Sequence, residues 1–335
     1  MTWVVWRQQR SIVVAFVAVA ATFTLWLIVT GQHEQSLWHQ FLAPPCRGEL
    51  GATNGDINAC GALQSSIANG AHLDDATTII GTMFAPMLGL ILGVNAVARE
   101  LEHKTNRLAW TQSGSRSRWL ASKYLTSIAT LVIISVPLCL VLSWWVRASH
   151  DGARISPKVF PVSGFVEIGY GIFCFALTVV IGLAIRRAGW TFAVCVILFA
   201  GLFFSFADRV RQHVATASVA TLQSVQIEEG SDSGFYASGG APANSWFFYQ
   251  GFEPAATKGV PSLAFLDQSN QAMNSCESQA VTGEYCLHHL HFRNVEVYIA
   301  DNQFWKLQLI EGGFYIGVAA LLAGVSFAGI RRARA

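Results

Sequence analysis

The chain has 335 residues, of which 53% are hydrophobic and only 13% are charged. Soluble globular domains carry roughly 25% charged residues, so this composition excludes a typical soluble enzyme. The formal net charge of +2 is too small for a protein that binds nucleic acid through a broad basic face, and no nucleic-acid partner is expected.

The apolar residues are concentrated in six blocks that contain almost no charge. A helix needs about twenty residues to cross a hydrocarbon core of roughly 30 Å. Backbone N–H and C=O groups cannot stay unpaired in lipid, so each block is predicted to be a helix. The expected fold class is an all-α polytopic membrane protein with spans at residues 11–30, 76–98, 120–146, 164–185, 190–207 and 304–330.

Lys and Arg residues cluster before span 1, between spans 2 and 3, between spans 4 and 5, and after span 6. They are Arg7, Arg10, Arg99, Lys104, Arg107, Arg116, Arg118, Lys123, Arg186, Arg187, Arg331, Arg332 and Arg334. Cytoplasmic loops are enriched in Lys and Arg, so this distribution predicts that both termini are cytoplasmic. Residues 331–335 would form a basic cytoplasmic tail.

The long segment 208–303, between spans 5 and 6, is then predicted to be an extracellular insertion. It begins with apolar residues at helical spacing from Val210 to Val225, which predicts a helix that continues from span 5. A Gly- and Ser-rich stretch at residues 230–242 follows and predicts loops. We therefore expect an α+β or irregular insertion.

Four cysteines fall in the predicted outer segments: Cys46, Cys60, Cys276 and Cys286. Cysteines on an oxidising face commonly form disulfide bonds. The sequence allows three pairings, of which the local ones, Cys46 with Cys60 and Cys276 with Cys286, are the simplest. Four unpaired thiols are the alternative.

No pattern typical of a nucleotide, metal or catalytic site occurs. The chain lacks the Gly-x4-Gly-Lys-Ser/Thr loop that cradles nucleotide phosphates, so it is expected to bind no cofactor itself. His288, His289 and His291 lack the i, i+4 spacing of a helical zinc pair, and no metal is expected. Because no Gly-x-Ser-x-Gly nucleophile motif is present either, we expect a non-catalytic chain.

The connection between spans 2 and 3, residues 99–119, is the most distinctive. Glu100 and Lys104 are spaced for an i, i+4 ion pair, and Leu101 and Leu108 share a face, which predicts a short amphipathic helix. Residues 113–115, Ser-Gly-Ser, would end this helix. A solvated basic loop that only sets topology is the alternative.

This connection resembles the cytoplasmic signature of ABC-2 type transporter permeases, especially actinobacterial ones. The signature residues are Glu102, Thr105, Leu108, Ser113, Arg116, Trp119 and Lys123. The resemblance implies a multi-pass subunit of the bacterial plasma membrane, paired with a second permease half that is identical or homologous. Two separate ABC ATPase subunits would bind ATP and Mg and power transport.

The resemblance also implies roles for particular residues. The loop 99–119 would enter a cleft of the ATPase and couple its closure to the spans. The coupling residues would be Arg99, Glu100, Glu102, Thr105, Arg107, Arg116 and Trp119. Residues 1–10 would form an interfacial amphipathic helix that carries Trp3, Trp6, Arg7 and Arg10.

Glu311 is an acidic residue inside the last apolar block. A carboxylate at the bilayer centre costs about 2.5 to 3.5 kcal/mol on insertion scales, so it should face a cavity, a protein partner or the outer surface. Gly312 and Gly313 would permit a re-entrant helix before a shorter final span, as the resemblance suggests. We expect a structural role for Glu311 rather than a proton relay.

The predicted function is the export of an amphiphilic or hydrophobic substrate, such as an antibiotic, a peptide or a lipid. The alternative is a membrane-anchored receptor or immunity protein whose extracellular insertion binds a ligand. The signature at residues 99–119 discriminates between them, because an anchor needs no amphipathic helix with a defined break.

Overall fold

The computed structural model describes residues 2–43, 54–103, 115–149, 154–206, 211–221, 223–224, 237–238, 242, 245–254, 263–277 and 292–332. Within these residues, six helices are long and apolar enough to cross a membrane. This finding confirms the predicted number of spans and the all-α polytopic fold class.

The elements follow one another along the chain. The first six helices are α1 (Thr2–Leu42), α2 (Asn54–Gly93), α3 (Arg99–Glu102), α4 (Arg116–Ser149), α5 (Val166–Ile185) and α6 (Ala188–Ser205), with a π-helical turn (Val94–Ala98) between α2 and α3. Then come α7 (Arg211–Val214), β1 (Ser218–Thr221), β2 (Gln223–Ser224), β3 (Ala237–Ser238), β4 (Trp246–Pro254), α8 (Leu263–Glu277) and β5 (Phe292–Ile299). A 3-10 turn (Asp301–Gln303) precedes α9 (Phe304–Arg332).

The chain divides into two compact units. The first comprises Met1–His150, Lys158–Ala207 and Lys306–Ala335, and it contains the long apolar helices. The second comprises Asp151–Pro157 and Asp208–Trp305.

In the first unit, α2 packs most extensively against α5, and α1 against α4. Glycines allow the α2–α5 approach: a Cβ on Gly89 would lie 2.1 Å from the Gly171 carbonyl oxygen, and one on Gly93 would lie 2.7 Å from the Thr178 Cβ. Small residues at such spacing let helix backbones come into contact within membranes. The Gly89-x3-Gly93 pair therefore serves packing inside the chain.

Two hydrogen bonds connect α1 to α4, one near each end of the helix pair. The buried Gln9 side chain donates from Nε2 to the Ser127 Oγ at 3.0 Å. Near the other end of the same helices, the Trp145 Nε1 donates to the Thr30 Oγ1 at 3.1 Å. These two hydrogen bonds fix the register of α1 along α4.

The start of the chain differs from the separate interfacial helix predicted for residues 1–10. The described residues form one helix, Thr2–Leu42, so Arg7 and Arg10 belong to its first turns. The reason is local, because Gly31 is the first Gly or Pro in the sequence and nothing before it stops a helix.

The last span also differs from the prediction, since no re-entrant break occurs. Helix α9 runs continuously over Phe304–Arg332, through both Gly312 and Gly313. The break is unnecessary because the buried Glu311 carboxylate accepts a hydrogen bond from the Tyr170 hydroxyl of α5. A satisfied carboxylate has no need to be displaced toward the surface.

The second unit contains a three-stranded antiparallel sheet in the order β1-β5-β4 and a two-stranded sheet of β2 and β3. Buried Val295 and Val297 of β5 pack with Ala217 and Tyr249. Arg154 holds the Asp301 carboxylate with two hydrogen bonds, from Nε at 2.8 Å and from Nη2 at 2.7 Å.

The helix predicted from Val210 to Val225 is wrong. Among the described residues of this stretch, only Arg211–Val214 is helical, and Ser218–Thr221 is a strand that pairs with β5. The β-branched Val219 and Thr221 favour an extended backbone, and pairing with a complete strand outweighs the weak helical periodicity.

The cysteines divide into two groups. Cys139, Cys174 and Cys195 are free, buried thiols in the membrane helices. Cys60 is disulfide-bonded, whereas Cys46 and Cys286 lie outside the described residues. The pairing of the four outer cysteines therefore stays a prediction.

The glycine contacts lead to a test of the α2–α5 interface. Replacing Gly89 with Ala should destabilise the protein by about 1 to 3 kcal/mol, because the added methyl overlaps the α5 backbone. Gly313→Ala is the matched control, since no atom of the described residues lies within 4 Å of the position that its added methyl would occupy. The measurement is thermal unfolding of the purified protein in detergent, and equal melting temperatures for the two variants would contradict this packing.

Candidate functional site

One end of the first unit, here called the basic end, carries exposed arginines from five segments of the chain. They are Arg7, Arg10, Arg99, Arg118, Arg186, Arg187 and Arg331. Contacts of α4 with α1, α3 and α9, and of α3 with the start of α6, bring these segments together. The basic end includes the described part of the connection that the sequence singled out.

A buried ion pair joins α3 to α4 at the basic end. The Lys123 Nζ lies 2.6 Å from the Glu100 Oε1, and the two side chains are 2% and 10% exposed. The same Nζ is 5.8 Å from the centre of the Trp119 ring, close enough for a cation–π contact. Removing one partner of such a pair would leave an uncompensated charge, so the two helices are strongly linked.

A second contact joins α3 to α6. The Ala188 N–H, at the start of α6, donates to the Glu102 Oε2 at 2.9 Å. Arg187, which precedes α6, makes no side-chain hydrogen bond to cap this helix. The Glu102 carboxylate therefore supplies an acceptor that the helix N-terminus lacks, and the helix dipole favours its negative charge.

The π-helical turn Val94–Ala98 separates α3 from the body of α2. The Asn95 side chain spans it, donating to the Ile91 carbonyl oxygen and accepting from the Arg99 Nη1, both at 2.8 Å. Single π-turns inside helices occur frequently at functional sites. This turn sets the direction in which α3 carries Glu100 and Glu102.

The turn between α5 and α6 contains a residue in an unusual conformation. Arg186 has a φ of 56°, in the left-handed region, where Gly is the usual residue. Its N–H donates to the Gly182 carbonyl oxygen and closes the helix. The two-residue turn places Arg186 and Arg187 at the basic end, beside the Glu102 contact.

The predicted coupling residues are not all on the surface. Arg99 and Glu102 are exposed and Arg116 is half-buried, whereas Glu100 and Trp119 are buried. Glu100 is buried in its ion pair with Lys123 of α4, and Trp119 is buried in the first turn of α4, beside the same lysine. The coupling role of these residues stays a prediction. Thr105 and Arg107 lie outside the described residues, as do the side chains of Trp3 and Trp6.

Lys123 is the partner that the predicted coupling set lacked. It is part of the signature, but its sequence position gave no hint that it reaches 23 residues back to Glu100. A lysine inside an apolar block is itself a signal, because it must find a carboxylate or water.

Glu311 lies between α9 and α5, where a second polar side chain accompanies it. Gln308, one turn earlier, accepts the Val166 N–H at 3.0 Å and donates to the Phe160 carbonyl oxygen at 2.9 Å. The Tyr170 ring that contacts Glu311 also packs edge-on against Tyr315, with ring centres 4.7 Å apart. The structural role expected for Glu311 stays a prediction, for which these contacts supply a rationale.

In the part of the chain that the structure describes, no group of three or more His, Cys, Asp or Glu side chains is arranged to hold a metal ion. The tract of His288, His289 and His291 lies outside the described residues.

A sequence profile of the family described as ABC-2 membrane transporter related matches residues 16–211, more than half of the chain. The chain belongs to this family. The match to this ABC-2 family includes Glu100, Glu102 and Lys123, and it identifies the protein as a membrane transport component. No curated protein and no solved structure matches the chain.

The ion pair at the basic end of this ABC-2 permease can be tested by substitution. Lys123→Met should destabilise the protein by about 3 to 5 kcal/mol, because the Glu100 carboxylate is left buried without its cation. The double variant Lys123→Met with Glu100→Leu should recover most of that loss.

Lys158→Met is the matched control, because its ion pair with Asp75 has side chains that are 72% and 52% exposed. Exposed pairs contribute about 0 to 1 kcal/mol. Thermal unfolding in detergent measures all three variants, and a loss for Lys123→Met no larger than for Lys158→Met would show that burial is not decisive.

Proposed function

We propose that the chain is the permease subunit of an ATP-driven exporter and that its ATPase subunits bind at the basic end. One observation carries this proposal: α3 is tied to α4 through Glu100 and Lys123, and to α6 through Glu102 and Ala188. A displacement of α3 therefore acts on two membrane helices, on α4 through the ion pair and on α6 through the Glu102 contact.

The two contacts differ in how readily they can change. The ion pair is buried and binds α3 and α4 as one body. The Glu102 contact is exposed, so it can be broken and remade in water at a small cost. Movement of α3 would therefore carry α4 with it and change its relation to α6.

Transport by this route requires two discrete helix packings. A ligand shifts such an equilibrium only by its difference in affinity for the two states. ATP-driven closure of the ATPase would supply that difference by binding the basic end more tightly in one packing. The π-turn at Val94–Ala98 provides a place where α3 can reorient relative to α2.

The proposed assembly contains two ABC ATPase subunits and a second permease half, identical or homologous. Family membership implies association with ABC ATPases. ATP and Mg would be held by the ATPases, because this sequence lacks a nucleotide-binding loop.

The proposed substrate is amphiphilic or hydrophobic. A groove of about 130 Å³ between α2 and α6 supports this substrate class, and its lining is apolar. The lining includes Met83, Met87, Phe199 and Phe203. Flexible Met and flat Phe side chains adapt to apolar molecules of varied shape.

The proposed orientation places both termini in the cytoplasm of a bacterial cell and residues 208–303 outside the plasma membrane. The seven exposed arginines of the basic end support it, because Lys and Arg are enriched on the cytoplasmic side. Disulfide bonds among Cys46, Cys60, Cys276 and Cys286 would form on the outer, oxidising side.

Charge reversal at Glu102 tests the coupling role. Glu102→Lys should uncouple ATP hydrolysis from transport at normal expression, because a cation replaces the carboxylate at the N-terminus of α6. Asp75→Lys is the matched control, since it reverses an exposed carboxylate that contacts Lys158. Dye-efflux and ATPase assays on the reconstituted complex measure coupling, and unchanged coupling in Glu102→Lys would count against the proposal.

Affinity purification of the tagged chain from its native membrane tests the partners. A stoichiometric soluble ATPase should co-purify in mild detergent and should be lost when residues 99–119 are replaced by a Gly/Ser linker. Absence of an ATPase, under conditions that preserve a known ABC complex, would favour a receptor or immunity protein.

Mass spectrometry of the unreduced protein tests the outer cysteines. Cys46 with Cys60 and Cys276 with Cys286 should each appear as one linked peptide, because local cysteines on an oxidising face pair most simply. The buried thiols Cys139, Cys174 and Cys195 serve as unlinked controls. Four alkylatable outer thiols would refute the pairing.

A further inference from the structure

The Glu167 side chain lies inside the first unit and contacts two neighbouring helices. It stands in the first turn of α5 and has no exposed surface. Its Oε1 accepts the Ala85 backbone N–H of α2 at 3.1 Å, and its Oε2 accepts the Cys139 thiol of α4 at 3.4 Å. One carboxylate therefore connects three membrane helices.

The position of Ala85 explains why this acceptor matters. Ala85 directly precedes Pro86, which lies inside α2. Proline lacks an N–H, its ring clashes with the carbonyl four residues earlier, and the residue before it is disfavoured in the helical conformation. Glu167 supports the helix at this weak point by binding the N–H directly before the proline.

The carbonyl group of Ala85 also lies close to α5. A Cβ on Gly171 would lie 2.8 Å from the Ala85 carbonyl oxygen. Glu167 and Gly171 are four residues apart, so they lie on the same face of α5 in successive turns. The N–H and the carbonyl of Ala85 thus contact α5 at two adjacent levels.

Pro86 is also the place where α2 bends most easily. Prolines are among the few causes of sharp helix kinks. Beyond Pro86, α2 continues through the π-turn into α3, whose contacts with α4 and α6 form the basic end. A force applied to α3 is passed along α2, and the Pro86 position is the first weak point it meets within that helix.

We propose that Glu167 is a positioning residue that holds α2 at Pro86 in one packing against α5, and that this contact opens during the transport cycle. The opening rests on the proposed ATP-driven function, whereas the positioning role does not.

A double-mutant cycle tests the positioning role on the purified full chain. Glu167→Leu should lower the melting temperature by about 2 to 4 °C, as expected for a buried N–H that loses its acceptor in a chain of this length. In a Pro86→Ala background, Glu167→Leu should lower the melting temperature by less than half as much. Without the proline, α2 is stabilised at this point by its own backbone hydrogen bonds. Glu167→Gln, which keeps an acceptor, should retain most of the melting temperature.

Gln308→Leu is the matched control, because it removes a buried acceptor from the Val166 N–H of the same helix without contacting α2. Its effect should be the same with Pro86 or Ala at position 86. An equal loss for Glu167→Leu in both backgrounds would overturn the positioning role.

Labelling of Cys139 with N-ethylmaleimide tests the opening. The experiment uses the permease–ATPase complex in nanodiscs, with and without vanadate-trapped nucleotide. Labelling should rise on trapping in the wild type and should be high in both conditions in Glu167→Leu. A merely structural contact would not respond to nucleotide.

Cys174 and Cys195 are internal controls, because both are buried thiols that do not contact Glu167 in the described structure. Labelling of Cys139 that does not depend on nucleotide would overturn the opening. If no ATPase binds, the proposed function fails, and the double-mutant cycle still decides the positioning role.

Discussion

Hydrocarbon offers no hydrogen bonds, and this constraint determines where the polar side chains of the membrane helices lie. Such a side chain bonds either to a carbonyl oxygen of its own helix, as Thr82 and Thr178 do, or to a group on another helix. Glu167 meets a backbone N–H of α2, Gln308 meets one at the start of α5, and Gln9 meets Ser127 of α4. These three polar side chains therefore connect helices to one another, and apolar residues fill the space around them.

Two of the contacts between helices are hydrogen bonds of the same kind. Glu102 binds the first N–H of α6, and Gln308 binds that of α5. In both cases a side chain of one helix satisfies the N-terminus of another, where intrahelical acceptors are missing. The Glu102 contact is exposed at the basic end, whereas the Gln308 contact is buried. Water can replace Glu102 at its N-terminus but cannot replace Gln308, so the two ends of the bundle differ in how freely their helices separate.

The sequence predicted the parts of the fold that depend on composition alone. Six apolar blocks became six long helices, because length and lack of charge are sufficient to specify a span. The contacts that tie helices together were not predictable, because they depend on distant residues. Glu100 and Lys123 are 23 positions apart, and Glu167 and Ala85 are 82 apart. A polar residue in an apolar block indicates that a partner exists, but only the packing identifies it.

Two of the predictions that differ from the structure have a common cause. The break at Gly312 and Gly313 and the turn after residue 10 were inferred from local sequence, by resemblance to other permeases. In lipid, a helix interruption exposes backbone groups that nothing nearby satisfies, so a helix continues unless a partner is supplied. At Pro86 the chain supplies that partner as the Glu167 carboxylate, and at the π-turn it supplies the Asn95 side chain.

Pro86 and the π-turn both lie in the helical segment that leads to the basic end. Between them, Gly89 and Gly93 bring the backbones of α2 and α5 into contact. Irregular backbone costs free energy and persists only where the surrounding structure holds it in place. The segment between Pro86 and the π-turn is thus a stiff element with a weak point at each end. In the proposed mechanism, this segment would transfer a displacement of α3 to Pro86 and Glu167.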